Sequence, residues 1–161
     1  MASDAFLKLD GVMGESQKDN HQGEIDILSF TWGANNGSSV GTGTGVSVGK
    51  VQVNDFSVMK MTDKSSPVLF QKCCDGSVIP TCTVTLQRQV LGVATPYLVY
   101  NFGNVYVTSI NWSSTSGGDA TAESMTFCFE VGTVDYTPLN DDGVPGHVFH
   151  GGWDIGRNAL A

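Results

Sequence analysis

The sequence predicts a mainly β, antiparallel protein, a barrel or a sandwich, with one short α-helix and one long extended loop. Three features predict this: segments whose apolar and polar residues alternate every second position, turn residues at short intervals between them, and a single stretch with helix start and stop signals. With 161 residues the chain fits one domain, taken as residues 1–161.

Phe6-Leu7-Lys8-Leu9 followed by Asp10-Gly11 reads as a strand ending in a turn, and the polar run Gly14 to Gly23 as a loop in which His21 is solvated. Glu24 to Trp32 reads as one strand, with Ile25, Ile27, Ser29 and Thr31 on one side and Asp26, Leu28, Phe30 and Trp32 on the other. Gly33 to Gly49 is too rich in glycine for a packed element and too long for an ordinary hairpin turn, which makes it a protruding loop suited to contacting a partner. Val51 to Lys60 returns to alternation, with a parity shift near Asn54-Asp55 that suits a bulge.

The helix signal follows. Ser65 and Ser66 are N-cap candidates, Pro67 suits the first helical position, and the run ends at Asp75-Gly76, where glycine can stop a helix. Leu69, Cys73 and Phe70 form its expected buried face. Beyond it, Cys82, Val84, Leu86 and Val90 alternate with polar residues. Pro96 to Trp112 gives strand material with a break at Asn101–Asn104, and Met125, Phe127, Phe129 and Val131 oppose Ser124, Thr126, Cys128 and Glu130 in a last long strand.

Composition narrows the function. The net charge is −8 and the pI about 4.5, so phosphate backbones and anionic lipid surfaces repel the chain, which excludes nucleic-acid partners and membrane insertion. Only 15% of residues are charged, fewer than in most soluble domains, as expected of a surface covered by copies of itself and also of many secreted β proteins. Met1 to Phe6 holds no basic region followed by an apolar stretch, so no secretory signal peptide is expected and folding is placed in the cytoplasm. Cys73, Cys74, Cys82 and Cys128 have neither zinc-site nor disulfide spacing and read as reduced thiols.

No arrangement of residues carries chemistry. Gly41-Thr42-Gly43-Thr44-Gly45 invites a phosphate-loop reading, but strand-like alternation follows it in place of a helix N-terminus. His147 and His150 near Asp141, Asp142 and Asp154 lack a preorganised third ligand, so no metal and no cofactor is expected. Glu24 and Asp26 would share a strand face, as glycoside hydrolysis could use, yet a solvated strand edge accounts for them better. Trp32, Trp112 and Trp153 suit core or interface anchors or, in an alternative reading, the sugar platform of a monomeric glycan-binding barrel. No catalytic residue is assigned.

FLKLDGVMGES (Phe6 to Ser16), HQGEIDILSFTWG (His21 to Gly33), GKVQVNDFSVMKMTDKSSPVLFQKCCDG (Gly49 to Gly76) and GWDIGRN (Gly152 to Asn158), in that order, resemble the Hcp family, the tube proteins of bacterial type VI secretion. The resemblance implies a small antiparallel β-barrel with one helix. It also implies a ring of six copies that stacks into a tube, is driven out of the cell without a signal peptide, and holds effectors in its lumen. Itself, the spike, the sheath and effector proteins are the implied partners. The loop Gly37 to Lys50 matches the family's extended loop, so Val40, Gly41, Thr42, Gly43, Thr44, Gly45 and Val46 are candidates for contacts between subunits or rings. With Phe30 and Trp32 packed inward, alternation turns Ser29 and Thr31 the other way, as candidates for the lumen lining.

Overall fold

The computed structural model describes residues 3–41, 45–47, 49–142 and 144–161. β1 (Ser3–Leu9), β9 (Ile79–Val90), β10 (Val93–Ser113) and β11 (Ala122–Tyr136) form an antiparallel meander, joined at its far side by β8 (Phe56–Met61) and by β12 (Phe149–Asp154) with β13 (Ala159–Leu160). Along β11 the first half pairs with β8 and the second half with β12. β2 (Ile25–Asp26) pairs with β1 and β3 (Ser29–Thr31) pairs with β8, so one short stretch of chain touches both ends of the pairing path. Ile27 N–H donates to Ala5 and Leu28 N–H to Met59, which completes the hand-over and gives the sheet its barrel-like wrap.

That hand-over interrupts the single strand expected over Glu24 to Trp32. Ile25 and Ile27 are buried, Leu28 and Ser29 are both exposed, and Phe30 and Trp32 turn back to the core. The extra outward residue shifts parity by one, so Ser29 and Thr31 do not share a face with Ile25 and Ile27. A second expected break is absent. β10 runs unbroken through Asn101–Asn104, because Asn104 adopts φ +52°, takes up the irregularity locally and donates from Nδ2 to Glu130 at 2.6 Å.

Leu7, Ile25, Phe56, Val58, Ile79, Val84, Val105, Met125 and Phe127 are fully buried and define the core. At one end it becomes aromatic: Phe56 stacks on Phe127 at 5.1 Å, and Trp32 meets Phe102 edge-on at 5.3 Å and Tyr100 at 5.4 Å. Edge-to-face pairs of this kind add about 0.5–1.5 kcal/mol each beyond burial.

Helix α1 (Ser66–Asp75) lies against β10 and buries Leu69. Gly76 ends it at φ +68°, donating to Lys72 O, as the sequence signals require. Two helix expectations change. Ser65 occupies the N-cap position without capping, since its hydroxyl donates to Asp63, and Phe70 is 48% exposed because it leans on Trp112 at 5.6 Å.

The Gly14–Gly23 segment is a loop, but it is folded onto the outer side of β1 and β9. His21 is 8% exposed, stacks on Phe6 at 4.2 Å, and bonds through its two ring nitrogens to Glu24 and Gln87. His21 is therefore not solvated, and Glu24 is buried while Asp26 is exposed, so the two do not form one solvated edge. Thr85 and Gln87 are buried for the same reason: this loop covers a face that alternation assigns to solvent.

Candidate functional site

Two surfaces gather the site residues expected from the sequence. On the outward face of β3, β8 and β11, Thr31 pairs with Ser57 and Ser29 with Met59, and β11 sets Thr126 and Ser124 opposite the same two residues. Neighbouring hydroxyls continue the row: Thr108 bonds to Thr126 at 2.7 Å and to Asp55 at 2.8 Å, and Ser109 bonds to Thr126 at 2.6 Å. The ionisable residues within the paired parts of these strands, Lys60 and Glu123, point inward and are fully buried. Within the paired strands this face offers hydroxyls and a thioether without fixed charge, with the exposed Asp55 carboxylate at its end, just before β8.

The inward charges form the rung that sets this orientation. Lys60 and Glu123 are direct cross-strand neighbours and ion-pair, and the Lys60 Nζ donates to Asp63 Oδ1 at 3.0 Å and to Ser66 Oγ at 3.2 Å. Glu123 Oε1 accepts the Trp112 indole N–H at 2.5 Å, which also fixes the aromatic ring beneath Phe70. The sequence carried a signal for this pair: Lys60 has the parity of Phe56 and Val58, and Glu123 that of Met125 and Phe127.

The second surface is the arm. β4 (Ala34–Asn36) pairs with β7 (Val51–Val53), and beyond them β5 (Ser39–Gly41) pairs with β6 (Gly45–Ser47), so two nested ladders replace the unstructured loop expected there. Val40 is opposite Val46 and Gly41 opposite Gly45; Thr42, Gly43 and Thr44 lie outside the described residues. Gly49 permits the close approach, since a Cβ there would sit 2.5 Å from Gly37 O.

At the base of the arm Trp32 Nε1 donates to Asn54 O at 3.1 Å, and Trp32, Val51, Val53, Phe129, Val134 and Trp153 line a cleft of about 460 Å³ against β11 and β12. Gly132 keeps its floor open, since a Cβ there would meet Phe129 at 2.8 Å.

The remaining candidates do not assemble into chemistry. His147 meets Phe149 edge-on, His150 bonds to Asp135 at 2.5 Å, and the Asp154 carboxylate accepts from Arg157 N–H at 2.9 Å. Among the described residues no three His, Cys, Asp or Glu side chains gather as a metal-binding group. The His150 pKa is raised, mainly by its hydrogen bond to Asp135. All four cysteines are free; burial pushes the Cys82 thiol far up, and Cys128 is raised by burial and then by Asp55, so both are poor nucleophiles.

Comparison with known proteins gives the family. Residues 6–136 match the family model for "Type VI secretion system effector, Hcp". The chain belongs to the Hcp family. It is 35% identical to protein hcp1 of Pseudomonas aeruginosa over 162 aligned positions, covering all of both chains. Among solved structures it is similar to a type six secretion system protein (TM-score 0.94, 32% identity, 99% of this chain and 100% of the other). It is also similar to Hcp1 of Salmonella typhimurium (TM-score 0.81, 30% identity, all of both chains). A type VI secretion system effector from Yersinia pestis shares the fold as well, at TM-score 0.75 and 28% identity over 94% of this chain and all of the other. The Hcp fold thus accounts for the mainly β architecture with its helix, and for the sequence blocks that resemble the family.

Proposed function

We propose that this Hcp protein is the structural subunit of a type VI secretion inner tube: six copies close into a ring, rings stack, and the lumen carries effectors. The near full-length similarity to a solved type six secretion system protein, at TM-score 0.94 and 32% identity, supports this reading most directly. Two features of the chain agree with it. The outward hydroxyl face of β3, β8 and β11 has the uncharged character of a conduit wall, with Ser29 and Thr31 at its edge. The arm has two three-residue ladders, and β4 is exposed along its length, which leaves it surface to offer a neighbour. A head-to-tail contact that closes on itself makes a ring and leaves two faces for stacking, where the arm with Val40 to Val46 would reach a neighbour.

In this role the chain makes and breaks no bond. It assembles in the cytoplasm and leaves by the type VI route, in company with spike, sheath and effector proteins. Sedimentation at micromolar concentration tests the proposal: a species of about six times 17.0 kDa is expected. A single-chain species that binds glycans in the cleft of Trp32 and Trp153 would replace it with a monomeric ligand-binding module.

A further inference from the structure

The irregularity between β2 and β3 turns Leu28 outward beside Ser29, and Leu28 is 66% exposed. Met59 and Met61, two successive outward positions of β8, are 40% and 37% exposed, and Leu28 N–H bonds to Met59 O. The backbone bond between Leu28 and Met59 and the cleft shared by Leu28 and Met61 thus gather three exposed apolar residues at the end of the hydroxyl row. Leu28 and Met61 also line a cleft of about 200 Å³ whose other walls are Glu15, Asp26, Thr62 and Asp63. Asp63 is held by Lys60, and Glu15 also borders a second cleft that Lys64 lines, so Asp26 is the carboxylate committed to this one. Among the described residues neither Glu15 nor Asp26 has a basic group within ion-pair distance.

We infer that the Leu28–Met59–Met61 patch receives a basic amphipathic segment of a cargo protein, its apolar side chains lying on the patch and a Lys or Arg reaching into the cleft toward Asp26 and Glu15. Charge complementarity selects this occupant. A long basic side chain has an apolar stem for Leu28 and Met61 and a charged tip for the carboxylates, whereas an acidic segment meets repulsion there and from the net charge of the chain. Methionines suit the task, because an unbranched thioether repacks around different partners. The hand-over from β2 to β3 is what makes the site, since regular alternation would not leave Leu28 and Ser29 exposed side by side. The identity of the patch as cargo-facing rests on the tube reading; the patch itself lies within one chain.

The test uses the full chain in its native assembly and two fluorescein-labelled synthetic peptides with the same leucines, one carrying arginines and its twin glutamates. Anisotropy is expected to show binding of the arginine peptide alone, weakened about three- to fivefold by Asp26→Asn and further by raising salt to about 0.5 M. Leu28→Ser is expected to weaken it about tenfold, with the sedimentation mass unchanged. Equal binding of the twins, no binding of either, or indifference to Asp26→Asn overturns the inference. A loss of assembled mass on Leu28→Ser also overturns it, by making the patch a contact between copies. A chain that sediments singly yet binds the arginine peptide through Asp26 leaves the basic-ligand site standing and removes the tube reading alone.

Discussion

The barrel wall and the arm solve opposite problems with the same antiparallel pairing. The β8–β11 wall carries its most costly feature inside: Lys60 and Glu123 are completely buried, paired with each other and satisfied further by Asp63, Ser66 and Trp112. In the arm, β4 is exposed along its length and the ladders are three residues long. The wall is therefore stable through contacts it owns, whereas in the proposed tube the arm would add contacts with neighbouring copies to those Val53 makes at its base. Burying this ion pair also keeps both of its charges off the paired part of the outward face, where hydroxyls and Met59 remain.

The largest test of that contrast is Lys60→Met, which leaves Glu123 buried without its cation. We expect urea denaturation to show a loss of about 3–5 kcal/mol, most of it restored by adding Glu123→Gln, which keeps an acceptor for Trp112. If the single variant unfolds at the wild-type midpoint, the wall does not depend on this pair.

In the arm the expectation reverses. Gly49→Val places a Cβ against Gly37 O and blocks the close approach there, yet the unfolding free energy from urea denaturation should fall by no more than about 0.5 kcal/mol. Sedimentation should instead show fewer stacked assemblies. A large fall in core stability would mean that the arm is part of the barrel's own fold.

Thr31→Gln sharpens the comparison on the outward face. Ring mass should be unchanged and copurification of cargo should fall, by on the order of 1 kcal/mol in affinity, a usual size for one lost interface contact. Unchanged cargo recovery would remove Thr31 from the lumen lining.

The smallest effect concerns His150. Its folded-state pKa is raised above the ordinary value of 6.5 by the Asp135 hydrogen bond, so its contribution to stability is complete below that value and is lost as pH rises through the folded-state value. NMR titration of Asp135→Asn should bring the His150 transition back down, while the wall's stability stays the same.

Much of this was legible in the one-dimensional pattern, because period-two alternation reports which side of a strand meets apolar neighbours. The long alternation of β11 placed Met125, Phe127 and Phe129 inward, and the signals around α1 marked its ends from Ser65 to Gly76. The inward parity of Phe30 and Trp32, with Ser29 and Thr31 opposite, could also be read, since neighbouring residues in a strand must diverge.

The misreadings share a cause. His21 looked solvated because nothing local says that a polar loop will lie over Phe6 and Gln87, residues distant from it in the chain. Asn101–Asn104 looked like a break because turn residues signal one, whereas the paired strands on both sides hold β10 straight through. Phe70 looked buried until Trp112 proved to be its partner at the surface.

By itself, then, the sequence determined the strand-rich class, the helix and its stops, the inward and outward parity of most strands, and the family. Only the tertiary structure decided where the ladder hands over at Ile27–Leu28, that the glycine-rich segment forms nested hairpins, and which polar residues are sealed inside. The physical reason is that parity is a property of neighbouring residues. Register, hand-over and polar burial depend on pairing between segments far apart in the chain, and those partners exist only once the sheet has formed.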